Sequence, residues 1–358
     1  MNIDFHYGVI YVIARLAGLE KPEAETVAHA CQYVDDATVS GVLQFAGGES
    51  YDRFASAHKM FDYKNVEDSD DKRVWAPFHF LPGGQGDTLE EKSVCRPDSV
   101  IAQEMVQHAI KGRDAENALH RLGITLHVYV DTWAHQNFTG TISDHNVVKS
   151  LRSEDHGPGI WEASLKHFLE AAKDAATSEL LDHVSRLGHG AAIHFPDLPW
   201  AKWTYVNGHG QTIARDNLPD FMKAADMAYR AIEGFRRGNI EYTTEPGLPA
   251  EVQAALQSLL ASSRSEDPVK RLDLFAQAVV AGKIPGIDEP IPTYVAKGPG
   301  SWKHAATDII DEVADGDTKP VWSDRFEQSD YRKFHDAIKQ HRFVVTQEIL
   351  PQHGVRLA

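Results

Sequence analysis

A chain of 358 residues with 42% hydrophobic content is long enough for one large domain or two ordinary ones, and its formal net charge is −16. With no Lys/Arg-rich run, it lacks the electrostatic footprint of a duplex nucleic-acid binder, which does not exclude an enzyme that cleaves nucleotides. Two cysteines, Cys31 and Cys95, exclude a disulfide framework and CxxC zinc ligation.

No apolar run approaches the roughly 18 residues of a membrane span, and no charged segment followed by an apolar one opens the chain. The expectation is a soluble, cytoplasmic protein. With nineteen histidines beside two cysteines, any metal would be bound by nitrogen and oxygen.

In chain order, residues 5–18 predict a short buried helix ended by Gly18. Residues 21–36 predict a second, with Pro22 in the first turn and Glu23 and Glu25 near its start. From 37 to 97 the chain reads as loop, including the acidic EDSDDK and an aromatic stretch around His79. So long an irregular segment inside a domain is usually one wall of a site. Residues 98–112 and 114–137 predict an antiparallel helix pair, and 161–187 another helix stopped at Gly188. The segment GHGAAIHFPDLPWAKWTY follows as a loop. Helices are expected again over 217–237, 251–262, 269–281, 302–314 and 329–350. With almost no alternating pattern, the class is mainly α.

The segment 120–140, HRLGITLHVYVDTWAHQNFTG, carries most of the chemistry. His127, Asp131 and His135 stand at intervals of four, so on a helix they spread over only about 80° of circumference, and His120 lies on the same stripe. Apolar neighbours on most sides predict burial, where an unpaired charge is costly, so these groups must be paired, hydrogen-bonded or bound to metal. Four other segments offer ligands. They are Asp4 and His6 at the N-terminus; Asp35 and Asp36 at the negative end of the second helix, where acids are misplaced without a cation nearby; His79; and His189, His194 and Asp197. Their number exceeds one tetrahedral site and suits two or three ions with bridging carboxylates, an arrangement that clamps the oxygens of a displacement at phosphorus.

The N-terminal FHYGVIYVIARLAG, the QYVDDAT ending the second helix, the isolated FHF, LHVYVDTWAHQNFTG and GHGAAIHFPDLPWAKW together resemble the superfamily of zinc-dependent phospholipases C and single-strand-specific zinc nucleases, closest to an uncharacterised bacterial branch. The likeness covers about residues 1–205. It implies an all-α, multi-helix bundle with long loops and a three-zinc cluster in a cleft. The expected organisation of the chain is a metal-binding catalytic domain of residues 1–237 and a helical extension over 238–358. His79, His127 and Asp131 would bind one ion beside a carboxylate from Asp35 or Asp36. Asp131 would bridge to a second ion at His6. His135, His189 and Asp197 would hold a third, with His194 a rival to Asp197. Members bind zinc through the amine and carbonyl of an N-terminal Trp; this chain has Met1, so Asp4 is the expected substitute. Asp36 or Asp35 would be the general base.

The resulting expectation is a phosphoesterase acting on a small phosphodiester or phospholipid head group with Zn2+, although nitrogen and oxygen ligands also suit Mn2+ or Fe2+. Single-strand nuclease and nucleotide phosphohydrolase are alternatives; the latter needs an adjacent His-Asp pair, which occurs here only at His335-Asp336. A helical protein with a purely structural metal is the non-enzymatic alternative.

Overall fold

The computed structural model describes residues 1–58, 71–154, 186–310 and 319–357. Helix α4, Ala118–Ala134, is its axis: all of its residues except Leu119 and Arg121 are buried. It packs against α2 (Lys21–Asp36), α3 (Val100–Lys111), α5 (Asn217–Arg237) and α8 (Asp330–Phe343). Contact with α2 is closest at Gly123, where an added Cβ would lie 2.4 Å from the Val27 carbonyl oxygen and 2.6 Å from Ala30 Cβ. Only glycine lets the two backbones approach so nearly.

The chain enters through a π-helical turn at Asp4–Val9, wholly buried, that runs into α1 (Ile10–Leu16). Helix α2 starts with a capping box between Glu20 and Glu23, as the local sequence favours. Helix α5 ends on Gly238 in the left-handed conformation, a usual helix stop. Helices α6 (Ala250–Ser262) and α7 (Pro268–Val280) come from the segment expected as an extension. Yet Val252, Leu256, Leu260, Phe275 and Val279 belong to the same buried apolar cluster as Ile10, Leu126 and Val130.

The all-α expectation is corrected by two antiparallel sheets among the described residues. One is the hairpin β1 (Gly41–Gln44) and β2 (Ser50–Arg53); the other has the order β3 (Lys149–Ser153), β4 (Lys202–Val206), β5 (Thr212–Asp216). The class is mixed, with helix predominant. The physical reason lies in KWTYV: Trp203 and Tyr205 alternate inward onto Phe195 and Phe138, while Asn207 and Gly210 close the turn to β5. The expected helix over 161–187 falls, but for its last two residues, outside the described residues, as does most of EDSDDK. No helix among the described residues is long and apolar enough to cross a membrane.

Candidate metal centre

The side chains of His127 and Asp131, one turn apart on α4, meet the end of α2, the 4–9 turn, the segment around His79 and the loop 189–197. Asp131 stands in the middle. Its Oδ1 lies 3.2 Å from His6 Nε2, and its Oδ2 lies 3.3 Å from His127 Nε2, 3.8 Å from His79 Nδ1 and 3.5 Å from His135 Nδ1. Among the described residues, three groups of potential ligand atoms surround it, the atoms within each group lying within 4.8 Å of one another: His6, Cys31 and His127; Asp35, His79 and His127; His135, His189 and Asp197. These groups are close enough to hold metal ions.

The rings are held in fixed orientations by their outward nitrogens. His79 Nε2 donates to Ser56 O at 2.9 Å, His127 Nδ1 to Cys31 O at 2.8 Å, His135 Nδ1 to His79 O at 2.8 Å and His189 Nδ1 to Ile193 O at 3.1 Å. Such second partners are what metal-binding histidines ordinarily have. Ile193 turns its carbonyl to His189 at a φ of 56°, a strained conformation for a β-branched residue. The glycine before His189 is required as well: Gly188 has φ +55°, and a Cβ there would meet the Phe80 ring at 2.3 Å. Phe80 in turn stacks on His135.

A neutral imidazole carries one N–H. Since His79 and His127 direct theirs at carbonyls, His79 Nδ1 and His127 Nε2 face each other at 3.3 Å as two lone pairs. Nearby, the buried Asp131 Oδ2 and His6 Nε2 have no hydrogen-bond partner. His6 Nε2 is near Asp131 Oδ1 but misaligned for a bond. Buried polar atoms are rarely left so. Cations on the two sides of Asp131 would satisfy all four.

The charges give the same picture. Burial opposes the Met1 ammonium, but Asp131, Asp197 and Asp35 push its pKa up to about 11. The amine donates to Asp131 Oδ1 at 2.5 Å and stands 3.2 Å from Asp197 Oδ1, a positive charge between two carboxylates. Burial would raise the Asp131 carboxyl, yet His135 and the amino terminus hold it well below the usual range. Burial likewise opposes ionisation of Asp197, which the amino terminus holds well below the usual range. Asp35 goes the other way, raised by burial and by the Asp131 carboxylate. Burial lowers His6 and His189 to about 4 and His127 well below its ordinary value, which leaves lone pairs available as ligands.

Of the residues expected at the site, the structure brings together His6, Asp35, His79, His127, Asp131, His135, His189 and Asp197. Asp4 stands apart: both its oxygens accept from the buried Arg271 guanidinium, at 2.8 and 2.9 Å. Asp36 accepts from the Tyr294 hydroxyl at 2.7 Å and from Gln32 at 3.1 Å. His194 is exposed and joins none of the groups. Two participants were not anticipated. The Met1 amine occupies the place assigned to Asp4, and Cys31 stands behind His6. The latter had a signal in the sequence, because Cys31 and Asp35 are one turn apart and share a face of α2.

Fold and site define a helix-dominated protein with a buried histidine–aspartate cluster built around one central helix. The chain belongs to the family of unknown function DUF6765, whose model matches residues 1–349. No curated protein and no solved structure matches it.

Proposed function

We propose that this cluster holds two or three zinc ions and that the protein hydrolyses a small phosphodiester, in the manner of the zinc-dependent phospholipases C and single-strand nucleases that the sequence resembles. The observation that carries the metal reading is the pair of opposed lone pairs on His79 and His127, with Asp131 Oδ2 unpartnered beside them. One ion would take Asp35, His79, His127 and Asp131. A second would take His6, Asp131 and the Met1 amine once it has given up its proton. A third would take His135, His189 and Asp197.

Catalysis rather than a structural role is supported by one open edge. Structural zinc sites are closed, whereas here the Asp35 side chain is 33% exposed beside fully buried His127. Bound zinc would supply Lewis acidity toward phosphate oxygens and make water a better nucleophile. The chain's own contribution is orientation and charge. Asp35 Oδ1, 3.7 Å from both His79 Nδ1 and His127 Nε2, would be the carboxylate that orients the attacking water and accepts its proton. Asp36 then acts on Asp35 only as its neighbour, fixed by Tyr294 and Gln32. A net charge of −16 and the lack of a basic run favour a small diester or phospholipid head group over a long polynucleotide.

The test is elemental analysis of the purified protein, then turnover of bis(p-nitrophenyl) phosphate and p-nitrophenylphosphocholine before chelation, after it, and after zinc is restored. Two or three ions per chain with chelator-reversible turnover is the expected outcome. Metal-replete protein that turns over neither substrate would favour a structural metal, and protein without affinity for metal would sink the reading altogether.

A further inference from the structure

Four of the five histidines at the cluster donate their outward N–H to a backbone carbonyl; the fifth does not. His6 Nδ1 meets the Cys31 thiol, with Nδ1···Sγ at 3.6 Å, both groups fully buried. Cys31 also provides, through its backbone oxygen, the acceptor for His127 Nδ1. The two rings it contacts are stacked, with centroids 4.0 Å apart and planes at 22°. One residue of α2 therefore orients two histidines assigned to different ions. The close approach that permits this depends on Gly123, whose added Cβ would meet Cys31 N at 3.0 Å.

We propose that Cys31 is a positioning residue for the ion at His6, its sulfur accepting the His6 Nδ1–H so that Nε2 presents a lone pair toward Asp131, and that this sulfur contact makes the His6 ion the most readily released of the cluster. His6 Nε2, buried and without a hydrogen-bond partner, is the independent sign that this ring is aimed at a ligand. Sulfur is a weak acceptor, so it polarises the ring less than the carbonyls behind His79, His127, His135 and His189. The 4–9 turn carrying His6 is also π-helical, a geometry often associated with functional sites. The inference rests on the metal reading above.

The experiment is a titration of the zinc-loaded full chain with a zinc-buffering chelator, counting ions retained, for wild type, Cys31→Ser, Cys31→Ala and Cys31→Val. Ala and Val remove the acceptor, Ala being smaller than Cys and Val larger, so the two bracket its volume. Wild type should release one ion ahead of the others. In Ala and Val that ion should leave at about tenfold lower chelator concentration, the lower end of the effect of deleting an outer partner, while later release is unchanged. Ser, a stronger acceptor, should stay within about threefold of wild type. Equal weakening in Ser, Ala and Val would assign Cys31 to packing alone and overturn the proposal, as would release curves identical to wild type. A wild-type chain that takes up no zinc would instead remove the metal reading and this inference together.

Discussion

Replacing Asp131 by Asn tests the centre of the cluster, because it keeps the shape of the side chain and removes one charge. At an effective dielectric of about 20, a unit charge about 4 Å from a carboxylate gains about 4 kcal/mol, or roughly a thousandfold in affinity. Asp131 oxygens lie 3.2 Å from His6 Nε2 and 3.3 Å from His127 Nε2, on the sides of two proposed ions. Both ions should therefore lose about this much. The ion at His135, His189 and Asp197 keeps its own carboxylate. In metal-free protein the Met1 ammonium loses a partner at 2.5 Å, and breaking a buried pair costs about 3–5 kcal/mol, less if the amine sheds its proton. After equilibration at nanomolar buffered zinc, D131N should retain one ion per chain with helix content near wild type by circular dichroism. A D131N protein with wild-type zinc content would refute the bridging role.

His194→Ala should leave metal content unchanged, while Asp197→Asn should lose one ion, because the exposed His194 joins no group and Asp197 Oδ1 lies 3.3 Å from His135 Nε2; zinc counts on the two variants decide it. Gly123→Ala should destabilise the fold by about 1–3 kcal/mol in urea unfolding and weaken the ion at Asp35, since a Cβ 2.4 Å from Val27 O pushes α2 away from α4; wild-type stability would contradict the contact. His341, buried and donating to Pro77 O at 3.0 Å, has its pKa lowered by burial from the ordinary 6.5 to about 4. The unfolded chain binds that proton more tightly, so its contribution is intact above about 6.5 and is lost as pH falls toward 4. Urea unfolding across this window should show, in wild type relative to His341→Asn, an extra slope of up to about 1.4 kcal/mol per pH unit, and equal slopes would refute the assignment.

The central helix was legible because its signal is local: three ligand types at one-turn spacing on an apolar segment predict both burial and a shared face. The start of α2 was legible for the same reason, through Pro22 and Glu23. At its end, choosing Asp35 over Asp36 required the helix phase relative to α4, and that phase is set where Gly123 admits Val27 and Cys31, a tertiary fact. Asp4 misled because its partner, Arg271, lies 267 residues away. The sheet was missed because β3 and β4 are each five residues long and β4 follows a Gly/Pro-rich loop, so its short alternation was absorbed into that loop.

The C-terminal residues, which offered no motif, account for how the charges at the cluster are kept in place. Arg271 binds Asp4, Glu289 accepts from Tyr11 and Arg15, and Tyr294 donates to Asp36. All three ties land on the entry turn, α1 or the end of α2, the elements that carry or adjoin His6 and Asp35. Gly8, within that turn, lies so close to α7 that a Cβ would meet Leu272 at 2.9 Å. A π-helical turn has little intrinsic stability, so tertiary contacts must fix it. The Asp4 carboxylate is worth more there as an anchor, paired bidentately with a guanidinium, than as a ligand in a cluster already crowded with negative charge. The fold thereby divides tasks between neighbouring residues at each end: Asp4 anchors while His6 faces the cluster, and Asp36 anchors while Asp35 faces it.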